Sequence, residues 1–127
     1  MADDKSTNFK VKKDVGRSDI CFSMAREPDT GKCYVGSSDG GVYHVDLASD
    51  KPEPKRCEGD GHSSYVTGTA LTAKHIVTGA WDRHLAWWDR ESGKLIRRQK
   101  AHDKWLRGVE VSPDGKLIAS VADDMVC

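Results

Sequence analysis

The side chains best suited to chemistry in this 127-residue chain are a histidine, a threonine and an aspartate: His62, Thr78 and Asp82. They are the residue types of a proton relay, in which a carboxylate orients an imidazole and the imidazole draws a proton from a hydroxyl. A second grouping, Cys57 and His62 with Cys33 as a third ligand, has the types that hold zinc. Its Cys57-x4-His62 spacing is loose and no second pair completes four ligands, so no metal is expected. Gly40-Gly41 reads as a hairpin turn rather than a phosphate loop, and no cofactor is expected.

Charge and composition narrow the classes of partner. Lys and Arg total 20 and Asp and Glu total 20, so the chain is formally neutral. Nucleic-acid binding draws on an excess of basic side chains, so neutrality argues against it, and equally against a membrane surface. The locally basic Lys94 to Lys100 reads as a solvated strand edge. No apolar run approaches the roughly 20 residues that span a bilayer. The charged stretch Met1 to Lys13 lacks the apolar core of a secretory signal. Cys21, Cys33, Cys57 and Cys127 form no CxxC pair and read as free thiols, which gives a cytoplasmic address.

The elements that must position these groups come in repeats. His62-Ser-Ser-Tyr65-Val66 and His102-Asp-Lys-Trp105-Leu106 align, each with an aromatic three residues after the histidine and an aliphatic residue four after it. The two histidines lie 40 positions apart, close to the roughly 40–45-residue period of a four-stranded propeller blade. Apolar stretches follow each histidine, then turns at Thr72 to His75 and at Ser112-Pro-Asp-Gly-Lys116. Pro presets φ and Gly accepts φ > 0, so the second turn has a mechanism. Further strands are expected at Ile76–Ala80 and Leu117–Val121, at Leu85–Asp89 and at Lys94–Gln99. Short strands at regular spacing, with no sustained period of 3.6, give an all-β fold.

An earlier copy is worn: Ile20 to Ala25, Cys33 to Ser37 and Val42 to Leu47, with Gly36 to Val42 matching Gly79 to Leu85 position by position. Lys51-Pro-Glu-Pro54 must shorten its outer strand. Phe9-Lys-Val11 alternates as a strand would, and the first eight residues are expected to be disordered.

The second copy resembles the WD-repeat β-propeller family through Gly61-His62, Thr78, Asp82 and Trp88-Asp89. The resemblance implies a buried chain in which the Trp88 indole N–H reaches Thr78, Thr78 reaches His62, and His62 reaches Asp82. The residue types suit it, since every donor finds an acceptor. On this reading Thr78 faces Trp88 rather than a substrate, which displaces the relay. The third copy supplies His102, Ser120 and Asp124, with Asp123 a competing choice for the carboxylate, and the sequence stops before its Trp. The first copy keeps Asp39 but has Val35 and Val45 at the Thr and Trp places and no opening His. Apolar packing alone is expected to hold it.

The implied architecture is a β-propeller fragment of four-stranded antiparallel blades, two plus the start of a third. Residues 1–15 form an N-terminal tail or edge strand, 16–60 a degenerate blade, 61–100 a complete blade and 101–127 a truncated one. Propellers close with about four to eight blades, so the expectation is a piece of a longer propeller. Further blades of the same chain would complete it, or self-association would; the remaining reading is an open module that stands alone. The resemblance also implies a non-catalytic scaffold for protein partners, docking on the face that carries the entry loops and second turns. The positions there are Ser38 in the first copy, Ser63, Tyr65 and Trp81 in the second, and Asp103, Trp105 and Asp123 in the third. Large aromatics dominate binding hot spots, although Tyr65 and Trp105 could equally cover the blade top. Trp87 should point away from Trp88 and pack between blades. The rival is a quinone-dependent dehydrogenase, also a propeller, whose docking motif resembles Asp89-Arg-Glu-Ser-Gly93-Lys94; Arg97 or a neighbour stands where that motif wants Trp.

Overall fold

The structure is a computed structural model describing residues 10–11 and 14–127. Of the expected Phe9–Val11 strand, Phe9 lies outside the described residues, as does the stretch expected to be disordered, while Lys10 and Val11 belong to no strand. Ten strands and no helix make up the described residues. The first sheet holds β1 (Cys21–Arg26), β2 (Lys32–Ser37), β3 (Val42–Asp46) and β4 (Lys55–Arg56) in that spatial order. The second holds β5 (Val66–Leu71), β6 (His75–Ala80), β7 (His84–Asp89) and β8 (Leu95–Lys100). A third pairs β9 (Leu106–Val111) with β10 (Ile118–Ala122). Every strand pair is antiparallel and sequential, as short hairpin connections require.

The three sheets are propeller blades set side by side, with β5 packed against β1 on one side and β9 on the other. A three-layer stack of this kind buries the middle sheet on both faces, which is why β6 is buried from Ile76 to Ala80. Alternation along the strand then splits its side chains between two cores. Ile76, Ala80, Ala86 and Trp88 join Tyr34, Val42, Cys57 and Val66 between the first and second sheets. Val77 and Leu85 join Ala70, Leu106 and Val109, with Trp87 against them, between the second and third. Trp87 and Trp88 thus point opposite ways into different interfaces. Strand β4 is two residues long, cut short by Pro52 and Pro54, which cannot donate to a ladder.

Local geometry repeats with the blades. Each innermost strand carries a register shift after its first residue, at Cys21/Ser23, at Val66/Gly68 and between the partners of Leu106 and Gly108. In each second turn the residue after the aspartate is left-handed: Gly40 (φ 80), Arg83 (φ 73) and Met125 (φ 64). That conformation suits glycine and strains a side chain with a Cβ. At Gly61 the need is different, because a Cβ there would sit against the Trp88 ring.

Candidate functional site

The polar groups that open and close each blade are brought together by its innermost hairpin and second turn. In the second blade the Trp88 Nε1–H donates to Thr78 Oγ1 at 2.8 Å, and Thr78 Oγ1 lies 2.8 Å from His62 Nε2. His62 Nδ1 is 3.1–3.2 Å from both Asp82 oxygens. One assignment satisfies every group: Trp88 donates to Thr78, Thr78 to His62, and His62 through Nδ1–H to Asp82. Asp82 also accepts the backbone N–H groups of Ser63 and His84, at 3.0 Å each. Burial pushes its carboxyl up, but these donors outweigh it and hold the pKa at about 2. Both His62 nitrogens are occupied, so the Cys57–His62 pairing offers a metal no imidazole lone pair.

The third blade repeats the set. His102 Nε2 lies 2.8 Å from Ser120 Oγ, and Nδ1 lies 3.0–3.2 Å from the Asp124 oxygens. Asp124, not Asp123, is therefore the histidine's carboxylate. It also accepts the N–H of Asp103 at 3.0 Å, and that hydrogen bond leads the influences holding its carboxyl below the usual range. Asp123 turns outward into a two-pronged pair with Arg107, at 2.7 and 2.8 Å.

The first blade corrects the expectation of apolar packing alone. Ser38 N–H donates to the Ile20 carbonyl as Trp81 N–H donates to Tyr65 and Asp123 N–H to Trp105. Arg17 therefore stands three residues before Ile20, in the place of His62 and His102. Its guanidinium reaches both Asp19 oxygens at 2.8 Å, and Asp19 accepts the Ser37 hydroxyl. These donors hold the Asp19 carboxyl below its ordinary value. Arg17 also lies 3.6 Å above the Tyr43 ring, whose hydroxyl donates to Asp39. A different polar set thus performs the tie between entry loop and second turn. Sequence reasoning looked for His and missed it; anchoring on the turn and counting three residues back from Ile20 would have found Arg17.

Beside these chains, Phe22 of β1 and three residues of the loops and turns form an aromatic ladder. Phe22 stacks on Tyr65 (centroids 5.1 Å apart), Tyr65 meets Trp81 at 4.7 Å, and Trp81 stacks on Trp105 at 4.3 Å with planes 4° apart. The four rings cross all three blades. Arg107 caps the ladder, 5.3 and 5.6 Å from the Trp81 and Trp105 centroids. Beside it lies a groove of about 540 Å³ between the second and third blades, bordered by Ser63, Trp81, Asp103, Trp105 and Asp123. Tyr65 is on the ladder but not the groove. Ser38 is apart from both: its Oγ accepts the Ile20 N–H at 3.0 Å. Absent from the expected set were Phe22, and the groove cations Arg83, Arg98 and Lys104. Phe22 escaped because its blade has no histidine to mark the register.

The match to the family described as WD domain, G-beta repeat, covers residues 93–127. The chain is 34% identical over 62 residues to nuclear distribution protein PAC1 of Mycosarcoma maydis, 49% of this chain and 14% of that one. It is 36% identical over 70 residues to small ribosomal subunit protein RACK1y of Oryza sativa subsp. japonica, 52% of this chain and 21% of that one. With nuclear distribution protein nudF of Aspergillus niger it shares 42% over 53 residues, 42% of this chain and 12% of that one. The chain thus spans about a fifth or less of the length of these relatives. Among the described residues no helix is long and apolar enough to cross a membrane.

Proposed function

We propose that the chain is a WD-repeat protein acting as a rigid, non-catalytic platform on which a protein partner docks over the Trp81–Trp105 ladder and its groove. Residues 16–60, 61–100 and 101–127 serve as its three blades, and the buried His62 and His102 chains fix their turns. The aromatic ladder carries this reading. Tyr65 and Trp105 remain 38% and 49% exposed on rings already immobilised by stacking, so a partner gains contact area with little further loss of side-chain freedom. The partner is a protein rather than nucleic acid or membrane, and the address is cytoplasmic, supported by Cys33 and Cys57 being buried as thiols.

The non-catalytic part rests on access. The Thr78 hydroxyl is fully buried and engaged on both sides, so a substrate has no approach to the Asp82–His62–Thr78 set. Where a quinone-docking motif wants Trp, Arg97 lies over the Trp87 ring at 4.1 Å. The same reading has the apolar outer side of the third blade, with Leu117 and Val121 70% and 49% exposed, covered by further blades of a longer chain or by a second copy. The mass of the purified chain in solution separates those two.

The test is a random peptide library selected on the immobilised chain, with recovered peptides re-measured on Trp105→Ala and on Lys116→Ala, a turn outside the groove. Binding lost only on Trp105→Ala is expected. Equal retention on both variants, or dye reduction with added quinone and calcium, contradicts the proposal.

A further inference from the structure

We infer that the groove between the second and third blades selects an acidic partner segment, one that sets an apolar side chain against Trp105 and its carboxylates against Arg83 and Lys104. This rests on the platform reading above and adds the chemistry of the partner.

Three aspartates border the groove, and each is committed. Asp82 is held by His62 and by the N–H groups of Ser63 and His84. Asp123 is clamped by Arg107, and Asp103 pairs with Lys100 at 3.2 Å. The cations are not matched in the same way. Arg98 reaches only the already engaged Asp82, at 3.5 Å. Arg83 and Lys104 are exposed and make no close ion pair among the described residues, Lys104 having only a longer-range attraction to Asp123, which Arg107 already clamps. A formally neutral chain therefore presents a local positive surplus beside the stacked indoles of Trp81 and Trp105. On the neighbouring β8, whose residues Ile96 to Lys100 are exposed, Arg97 adds a further cation that lies over the Trp87 ring. Such a field steers and orients an anionic partner.

Arg83 sits in the second turn of its blade, at the border of the groove. It occupies the left-handed turn position where the first blade has Gly40. Met125 holds the same conformation in the third blade, so the turn accepts glycine or a side chain there, and Arg83 is an exposed cation at the groove's border.

Arg83→Gly suits the test, because it removes the cation and relieves the turn together. The probes are a fluorescein-labelled peptide of glutamates around one leucine, its glutamine and lysine counterparts, and a single-stranded oligonucleotide of matching charge. Fluorescence anisotropy is expected to rank glutamate above glutamine above lysine, with affinity falling as salt rises. Arg83→Gly combined with Lys104→Gln is expected to weaken the glutamate peptide by about tenfold or more with the thermal midpoint unchanged or higher. Trp105→Ala is expected to weaken the glutamate and glutamine peptides alike. Trp105-dependent binding with no order by charge overturns the acidic preference and leaves the platform standing. Absence of any Trp105-dependent binding overturns both. Equal or tighter binding of the oligonucleotide overturns the inference as well, since the surplus would then be a general polyanion surface.

Discussion

Replacing Thr78 by valine keeps the shape of a fully buried side chain and deletes one oxygen. That oxygen accepts the Trp88 indole N–H and donates to His62 Nε2, at 2.8 Å each. Trp88 is 1% exposed and the His62 side chain 0%, so neither orphaned group regains water. Each buried polar group left unsatisfied costs about 1–3 kcal/mol. The valine methyl offsets part of this, because the hydroxyl no longer has to be desolvated. The net expectation is about 2–4 kcal/mol, a large share of the roughly 5–15 kcal/mol that holds a domain folded. Thr78→Ser keeps the oxygen and loses one methyl, for about 0.5–1.5 kcal/mol; Ser120 already fills this role beside His102. Urea denaturation followed by tryptophan fluorescence measures both variants, and hydrogen exchange at the Trp88 indole N–H should accelerate only in the valine variant. A valine variant within about 0.5 kcal/mol of the parent, with serine the more damaging change, refutes the reasoning.

Three further outcomes follow from the same geometry. Asp82 is held at about 2 against an ordinary 3.8; its stabilisation is present above the unfolded value and lost as pH falls through the folded one. Melting temperature should therefore drop across that acid window, and Asp82→Asn should flatten the drop while lowering the neutral-pH value. Gly61→Ala would press a Cβ against the Trp88 ring, an overpacking cost of about 1–3 kcal/mol seen as a changed tryptophan emission and a lower urea midpoint. Among the thiols, Cys21 and Cys127 are exposed while Cys33 and Cys57 are buried, and burial pushes Cys57 up to about 11. Iodoacetamide mass mapping should label Cys21 and Cys127 first and Cys57 only on unfolding.

Blade two was legible because its period, turn residues and polar set all pointed to one arrangement. Short-range signals also placed the Pro-limited β4 and the opposed Trp87 and Trp88. The choice between Asp123 and Asp124 was not legible, because turn length decides which carboxylate faces inward and both residues are chemically suited. Blade one was misread for a physical reason. Arginine with an aspartate two residues on can satisfy the same buried space as a histidine, but it matches no motif and reads as surface charge until the fold is known. The groove cations were equally silent, since whether Arg83 or Lys104 is free depends on which acids their neighbours occupy. Charge totals describe the chain, while surplus charge is a property of the folded surface.

The four tryptophans provide the most direct measurement of the central claim, because two lie on the proposed docking face and two inside blade interfaces. Indole N–H resonances assigned by single substitution would be followed while a library-selected peptide is titrated into the full chain. The expected result is movement of the Trp81 and Trp105 signals with those of Trp87 and Trp88 unmoved. Saturable binding that shifts Trp87 or Trp88 and leaves Trp81 and Trp105 in place would contradict a platform built on the aromatic ladder.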